Sequence, residues 1–251
     1  MKSRIDHILC WNFLFNQKKS FLAIICCLFP LVIGFILPLS RLVYWASQTI
    51  ENVFDSTFII LTFNSIAIAA AASFITVMLA VFLTFTTRYF GSRTINATNR
   101  LAILGYAVPG AVIAIGILLL AKQVNQATGW IMTGSLSMLV LAYIVRFLAV
   151  AWQPIDSGME RNCEQINNAS RSLGVTAIQS LTNINIPMLR NAVVAAGLFV
   201  FVDTMKELPL TLILRPFNFE TFATTAYISA SEDLLEAAAV PSLCLIVIAS
   251  F

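Results

Sequence analysis

Residues 58–86 read FIILTFNSIAIAAAASFITVMLAVFLTFT, a run without a single charged residue. Because a helix needs about 20 mainly apolar residues to cross a bilayer, this run predicts a membrane-spanning helix. The whole chain of 251 residues is 59% hydrophobic and 11% charged, which is more apolar surface than one soluble core could hide. The sequence therefore predicts an all-α fold, a polytopic transmembrane helix bundle. The net charge of +3 is spread between apolar runs, which argues against nucleic-acid binding.

Several other runs are long enough to cross a bilayer. The predicted complete spans are residues 21–43, 58–86, 101–121, 131–152 and 191–214. A sixth run begins near Ala237 and would cover only about 22 Å before residue 251. The first run is too long to be only a cleaved signal peptide, and no small-residue cleavage pattern follows it. We therefore expect about six spans, of which the last is incomplete.

The positions of Lys and Arg predict the orientation, because short cytoplasmic loops accumulate basic residues. The tail of residues 1–20 carries four basic residues and one acidic residue, and the loop after the second span carries Arg88, Arg93 and Arg100 without an acid. Both segments, and so the amino terminus, are expected in the cytoplasm. Counting spans from there places residues 156–190 in the cytoplasm as well, and the acidic loop around Asp55 outside.

Residues 159–187 form a polar island between two apolar runs. A narrow, mostly apolar helical stripe is predicted by the spacing of Met159, Cys163, Ile166, Ser170 and Leu173. Gly174 is expected to end this helix in the left-handed conformation, Thr176 to cap a second short helix, and Pro187 to block its continuation. Two short helices joined in this way would form a compact knob that fits a cleft on a soluble partner. An amphipathic loop lying on the membrane surface is the alternative.

The same island carries a spaced motif: Asn168-Ala169-Ser170, three residues, Gly174, nine residues, then Ile184-Asn185-Ile186-Pro187. This motif resembles the cytoplasmic loop by which permease subunits of binding-protein-dependent ABC importers dock on their ATPase, written EAA, x3, G, x9, I-x-L-P. The resemblance implies the type I ABC importer permease fold for residues 21–251. It also implies an ATPase-coupling loop at residues 154–190.

The motif departs from the family pattern at Asn168 in place of Glu, Ser170 in place of the second Ala, and Ile186 in place of Leu. A carboxylate that would meet a group on the ATPase is absent, although Asn168 can still accept a hydrogen bond. The resemblance therefore implies docking that is weaker than usual. The residues expected to couple to the ATPase are Asn168, Ala169, Ser170, Arg171, Gly174, Ile184, Ile186 and Pro187.

Three ionisable residues interrupt the fifth apolar run, at Asp203, Lys206 and Glu207. Because these groups would be costly against lipid, they should face the protein interior or water, share one helix face and pair with one another. Pro209 removes a backbone donor and predicts a kink. We expect these four residues to form part of a translocation pathway or its gate, with a static ion-pair cluster as the alternative. Arg146, in the fourth run, either snorkels to the interface or acts in gating.

Substrate is indicated only by resemblance. Residues 142–150 and 203–227, which include Leu214-Arg215-Pro216-Phe217, resemble ferric-iron permeases, in which two homologous sets of spans are commonly fused. This chain resembles the second set. The resemblance implies a bacterial inner-membrane permease for ferric iron whose partners are an ABC ATPase, a periplasmic substrate-binding protein, and a second permease half or a second copy of the chain. The polyamine, thiamine and sulfate permeases are poorer matches around Arg215.

Other functional classes leave weaker signals. The sequence contains no GxxxxGK[ST] phosphate loop, so the chain is not expected to be an enzyme and ATP hydrolysis is assigned to a separate subunit. The five cysteines form no CxxC pair and His7 is the only histidine, so neither a cofactor nor a metal site is expected. One alternative is a proton- or cation-coupled secondary transporter that uses Asp203, Lys206 and Glu207 as a relay. The short sixth run also leaves open a truncated, non-functional permease fragment.

Overall fold

The fold is known from a computed structural model, which describes residues 17–53, 55–90, 93–129, 131–162, 169–170 and 172–250. Within these ranges every regular element is helical, which confirms the predicted all-α polytopic bundle. The α-helices are α1 Gln17–Leu31, α2 Leu37–Val53, α3 Ser56–Phe90, α4 Arg93–Ala102, α5 Gly110–Thr128, α6 Leu136–Asn162, α7 Ala177–Gln179, α8 Ile186–Met188, α9 Arg190–Met205, α10 Pro209–Leu214, α11 Phe222–Ser231 and α12 Leu235–Ala249. The π-helical turn Val32–Ile36 joins α1 to α2, and a second, Ser180–Asn185, joins α7 to α8.

Four helical segments of the described chain are long and apolar enough to cross a membrane. They are Phe21–Thr49, Ser56–Phe90, Gly110–Thr128 and Leu136–Glu160. The pair Ala177–Met188 and Arg190–Met205 passes the same test but is bent by 76°. The apolar helix α12 has 15 residues, Leu235–Ala249.

The third predicted span, 101–121, is wrong in its limits, because α5 begins at Gly110 and ends at Thr128. Residues 103–107 form a 3₁₀ turn instead, and Val108 is extended with φ −86° and ψ 133°. Proline disfavours helical backbone in the residue before it, so Pro109 separates the two helical segments. Gly105 lies against the backbone carbonyl of Val145, where a Cβ would collide with it.

The centre of the bundle is formed by α3, α6 and α9, which pack against one another. Small side chains lie at their contacts and are fully buried, namely Ala72, Ala80, Ala142, Ala151 and Ala196. The Ser73 hydroxyl donates to the Gly197 carbonyl at 2.7 Å and so joins α3 to α9 directly. Small residues and cross-helix hydroxyl bonds are the usual means by which helices associate inside a bilayer.

The periphery is formed by the first span and by the carboxyl-terminal helices. Helix α12 packs against α2 and α11, and the Thr49 hydroxyl donates to the Glu236 carbonyl at 3.3 Å. The apolar side chains of the first span are otherwise largely exposed, with none of its most apolar window buried. In a membrane this surface faces lipid or another protein.

Helix α3 defines two ends of the molecule, because its 35 residues extend over about 52 Å. At one end Asp55 precedes the helix, and we call this the Asp55 end. At the other, the Arg88 guanidinium pairs with the Asp156 carboxylate at 2.9 Å, and we call this the Arg88 end. Phe85, Met159 and Leu189 form a small buried apolar cluster beside this ion pair, so residues 154–190 attach at the Arg88 end.

Candidate functional site

The coupling segment, defined as residues 154–190, contains the turn that the sequence predicts around Gly174. Gly174 has φ +76°, and the Val175 N–H donates to the Ser170 carbonyl at 3.0 Å. This is the six-to-one bond of a Schellman motif, in which a left-handed glycine ends a helix. The expectation that Gly174 ends the first helix of the coupling segment is therefore confirmed.

The second helix of the coupling segment begins with the expected cap. The Thr176 hydroxyl accepts the Gln179 N–H at 3.4 Å, and the Gln179 side-chain oxygen accepts the Thr176 N–H at 3.2 Å. This reciprocal capping box satisfies two donors that a helix start leaves free. Residues 174–179 are thus ordered by their own local hydrogen bonds.

Two large apolar side chains on either side of the turn at Gly174 are exposed. Leu173 is 82% exposed and Ile178 is 75% exposed, whereas Ser170 is buried. Ala169 is exposed, while Asn168, Arg171, Cys163 and Ile166 lie outside the described residues. The described part of the segment therefore presents an apolar pair, Leu173 and Ile178, on either side of an ordered turn.

The prediction that Pro187 ends the second helix is wrong. The chain stays helical from Ala177 through Met188, and the bend comes at Leu189, which has φ −90° and ψ 2°. Pro187 lies in the first turn of α8, directly after the π-helical turn, where the backbone hydrogen bonds change from the π to the α register. Ile184 is half-buried, whereas Ile186 and Pro187 are exposed.

The π-helical turn before α8 depends on Asn185, which the sequence analysis did not single out. Its side-chain amide donates to the Ser180 carbonyl at 2.8 Å and to the Ser180 hydroxyl at 3.2 Å, and both residues are buried. The signal in the sequence that could have identified Asn185 is a polar residue between two isoleucines. Leu189 is also buried, and a Cβ on Gly158 would lie 3.0 Å from its side chain. The bend is therefore held tightly against α6.

The ionisable residues of the fifth span do not form one cluster, contrary to expectation. The Lys206 ammonium pairs with the Asp203 carboxylate at 2.8 Å, with the Lys206 side chain 58% exposed. Glu207 pairs with the Arg146 guanidinium instead, at 3.0 Å. The three residues do not share a helix face because α9 ends at Met205 and α10 begins at Pro209. The predicted kink at Pro209 is confirmed as a complete break in the helix.

Arg146 lies inside the span Leu136–Glu160, and its ion pair with Glu207 is largely buried, with side-chain exposures of 19% and 8%. Arg146 also donates to the Val108 carbonyl at 2.7 Å, and Glu207 accepts the Leu210 N–H at 3.4 Å. Gly110 leaves room for the carboxylate, because a Cβ there would lie 2.5 Å from Glu207 Oε1. Arg146 therefore does not snorkel: its charge is neutralised within the bundle.

Two buried hydroxyls complete this arrangement. The Thr211 hydroxyl donates to the Glu207 carbonyl at 2.5 Å, and the Tyr143 hydroxyl lies 2.6 Å from Thr211 Oγ1. We call Tyr143, Arg146, Glu207 and Thr211 the buried polar network. It supplies a partner for a carbonyl that the helix break frees, as the interior of a membrane protein requires. Tyr143 lies three residues before Arg146 on one helix face, a spacing that could have drawn attention to it.

A cavity of about 440 Å³ opens at the Asp55 end, between α3, α11 and α12. Its polar lining includes Asp55, Asn64, Asn218, Glu220 and Thr225, and its apolar lining includes Phe58 and Ile228. The Asp55 carboxylate caps α3 by accepting the Ser56 N–H at 2.6 Å. That bond, with the Ser56 and Thr57 hydroxyls, holds the pKa of the Asp55 carboxyl below its usual value. Within the described residues, no group of three His, Cys, Asp or Glu side chains is placed to hold a metal ion.

Comparisons with known proteins identify the kind of protein to which this chain is similar. No family model matches the sequence. An Fe(3+)-transport system permease protein of Haemophilus influenzae, FbpB 2, is 29% identical over 226 residues, or 89% of this chain. A protein of Streptomyces antibioticus named as an ABC transporter permease is 24% identical over 60% of the chain. A protein of Salmonella paratyphi A named as a 2-aminoethylphosphonate transport system permease, PhnV, is 24% identical over 65% of it.

The chain spans only part of each relative, namely 43% of the Haemophilus protein, 63% of the Streptomyces protein and 60% of the Salmonella protein. All three are named as permeases, and the described helices have the length and apolar character of a multi-pass membrane protein. The expectation from the spaced motif agrees with both findings. The chain is thus similar to transport permeases, one of which is named as an ABC transporter permease.

Proposed function

We propose that this chain is the inner-membrane permease component of an ATP-driven importer, and that its coupling segment transmits the movement of a separate ATPase. The observation that carries the proposal is the ordered turn at Gly174, which presents Leu173 and Ile178 at 82% and 75% exposure. An exposed apolar pair on a locally rigid turn suits a cleft on a soluble partner. The Arg88 end, where this segment attaches, is the end at which basic loops predict the cytoplasm.

The coupling segment can transmit force because its attachment at Leu189 is tight. Leu189 is buried against α3 and α6, and α9 follows immediately after the 76° bend. A displacement of the segment would therefore move α9 as a rigid rod. At the far end of α9 lie the Asp203–Lys206 pair and the break before Pro209, which we propose as part of the translocation pathway or its gate.

Within this pathway the two ion pairs have different roles. The Lys206 side chain is 58% exposed and can meet cargo or a second permease half, whereas Glu207 is held by Arg146 inside the bundle. ATP binding can shift the transporter between two states only if the coupling segment contacts the ATPase differently in each. We propose that the buried polar network keeps α6 and α10 together while α9 moves.

Ferric iron is the proposed cargo, because the relative that covers 89% of the chain is named as an Fe(3+)-transport permease. The proposed partners are an ABC ATPase at the Arg88 end, a periplasmic substrate-binding protein at the Asp55 end, and a second permease half or a second copy of the chain. The amino terminus is proposed to be cytoplasmic. ATP hydrolysis belongs to the ATPase subunit.

The test is uptake of ⁵⁵Fe³⁺ by proteoliposomes that contain the chain, its ATPase, its permease partner and its iron-loaded binding protein. We expect uptake that requires ATP inside the vesicles, and a combined Leu173→Ser and Ile178→Ser variant that loses most of it together with ATPase co-purification. Ile131→Ser is the matched control, because Ile131 is 85% exposed and precedes α6 at the Asp55 end. Uptake driven by a proton gradient without ATP would contradict the proposal, and uptake of 2-aminoethylphosphonate but not iron would contradict the cargo.

A further inference from the structure

Helix α4, Arg93–Ala102, is fixed to the bundle by a buried amide. Asn99 is 4% exposed, and its side-chain amide donates to the Leu83 carbonyl at 3.1 Å and to the Thr87 hydroxyl. Leu83 and Thr87 lie where the uncharged run 58–86 of α3 comes to its end. The middle of α4 is therefore held at the edge of the apolar layer.

Helix α4 runs from this edge into the bundle. Gly105, just after α4, lies against the backbone carbonyl of Val145 on α6. Asp156, which pairs with Arg88 at the Arg88 end, follows Val145 on the same helix by about 16 Å. Residues before Asn99 are therefore nearer to water, and residues after it lie deeper in the membrane.

The exposed face of α4 and of the turn after it changes in character along its length. Residues three, four and seven positions apart share one face of a helix. Arg93 and Arg100 are exposed on this face, and Leu101 and Leu104 follow at 69% and 55% exposure. Tyr106, further along, is 53% exposed. Two cations thus lie on the water side of the face, and apolar side chains lie on its membrane side.

The two cations of this face have no counter-charge in the part of the chain that the structure describes. Neither Arg93 nor Arg100 belongs to an ion pair there. A guanidinium group presents its N–H donors in a planar fork that matches the oxygens of a phosphate. Long basic side chains near a helix end also reach toward the headgroup region while their stems stay on apolar surface. The face is therefore matched to an anion held at the edge of a membrane.

We propose that α4 is a binding site for anionic phospholipid, with Arg93 and Arg100 at the headgroup phosphates and Leu101 and Leu104 against the acyl chains. The two arginines are about 10 Å apart along the helix axis, which spreads their charge across the headgroup region. Basic residues at a membrane surface attract anionic lipids in this way. The inference needs only a bundle that spans a membrane, and it goes beyond the proposed import function.

The depth of this face favours lipid over a protein partner. A soluble ATPase does not reach Leu104 and Tyr106, which lie deeper than the membrane edge. A second permease half would have to place acidic groups opposite Arg93 and Arg100, and acidic groups are costly within membrane segments. An anionic lipid carries its phosphate at the membrane edge and its apolar chains below it, so it matches both parts of the face.

Phosphatidylglycerol, added to the full chain in detergent and counted by native mass spectrometry, tests the proposal. The double variant Arg93→Gln with Arg100→Gln is expected to bind this lipid more weakly, by about fivefold for each lost charge. The control is Arg41→Gln with Lys122→Gln, which removes two exposed basic residues from other helices and should leave the affinity unchanged. An equal loss in the two double variants would overturn the proposal.

Two further arms identify the ligand. Phosphatidylcholine should bind the unsubstituted chain more weakly than phosphatidylglycerol, and equal binding would contradict a site for anionic lipid. Inorganic phosphate at the concentration of the lipid should not displace it, because it lacks the acyl chains that Leu101 and Leu104 contact. Displacement by inorganic phosphate would overturn the assignment to lipid.

A photo-reactive phenylalanine analogue in place of Leu104 identifies what covers this face in the assembled complex. In nanodiscs that contain phosphatidylglycerol, an adduct with phospholipid supports the proposal, whereas an adduct with a second permease half or with the ATPase overturns it. Neither lipid binding nor this adduct requires ATP or iron. A failure of the lipid site would therefore leave ATP-driven uptake intact, and a failure of the import function would leave lipid binding intact.

Discussion

The fifth apolar segment is interrupted twice, at Leu189 and between Met205 and Pro209, and the two interruptions are stabilised differently. At Leu189 the chain bends by 76° beside an exposed, locally capped turn at the Arg88 end. Between Met205 and Pro209 the freed backbone is enclosed by Arg146, Glu207 and buried hydroxyls. The turn that precedes the first interruption is held by short-range bonds, and the bend itself by apolar packing of Leu189. The second interruption depends on polar contacts between helices.

The difference follows from what each site can use as a hydrogen-bond partner. Water is available at the edge of a membrane, so residues 174–179 need only a glycine and a capping box. Inside the hydrocarbon layer an unsatisfied carbonyl or an unpaired charge costs roughly several kcal/mol. The protein itself must therefore supply the hydrogen-bond donor or the counter-charge. Substitutions at the buried break before Pro209 should therefore lower the stability of the protein. Substitutions in the turn at residues 174–179 should chiefly weaken binding to a partner.

The largest effect is expected from Glu207→Ala. Removing the carboxylate leaves Arg146 buried without its counter-charge, at a cost of about 3–5 kcal/mol in the free energy of unfolding. Thermal unfolding in detergent or nanodiscs measures the loss. Asp203→Ala is the control, because Lys206 is 58% exposed and can be solvated.

Replacing both Arg146 and Glu207 distinguishes the cost of an unpaired charge from the cost of losing the ion pair. The double variant Arg146→Met with Glu207→Leu is expected to lose less stability than Glu207→Ala alone, because no uncompensated charge remains. If Glu207→Ala were no less stable than Asp203→Ala, the buried polar network would not hold the break together.

An intermediate effect is expected from Gly110→Ala, which introduces a Cβ 2.5 Å from Glu207 Oε1. The carboxylate must move, and overpacking of this kind costs about 1–3 kcal/mol. Gly116→Ala, on the same helix, meets no atom within 4 Å and should gain stability of about 1 kcal/mol from helix propensity. Unfolding midpoints of the two variants measured side by side give the comparison, and equal shifts in the same direction would argue against a tight contact at Gly110.

The smallest effect on unfolding is expected from Thr176→Ala, which removes the capping box at the start of α7. The expected loss is about 1 kcal/mol, and it should be confined to the coupling segment. Hydrogen exchange of the Gln179 amide measures it locally, with Thr176→Ser as the control that keeps a capping hydroxyl. Faster exchange throughout α9 would mean that the cap also stabilises the span.

Sequence reasoning succeeded where structure depends on neighbouring residues. Gly174, Thr176 and Pro209 act on the backbone within a few positions, and their predicted effects are confirmed. It failed for Glu207, whose partner Arg146 lies 61 positions away, because pairing across helices is not encoded in local spacing. It also failed for Pro187, which follows a π-helical turn at a point where the register of the backbone hydrogen bonds changes.

The third span shows the same limit. Apolar character extends from residue 101, but the helix begins only after Pro109, since the backbone there is set by the proline and by the contact of Gly105 with Val145. The motif that suggested the coupling segment was informative despite its departures, because Gly174 occupies a position with a left-handed backbone conformation. Asn168, where the departure is greatest, lies outside the described residues.

The account depends most on the coupling segment and the turn of residues 215–220 facing opposite sides of the membrane. Asn218 and Glu220 of this turn line the cavity at the Asp55 end, and Phe217 between them is 97% exposed. Labelling of Leu173→Cys and Phe217→Cys with a membrane-impermeant maleimide, measured against the unsubstituted protein, tests this directly. We expect position 217 to be labelled in intact spheroplasts and position 173 only after the membrane is opened. Labelling of position 173 from outside the intact cell membrane would contradict the account, because no ATPase could then reach the coupling segment.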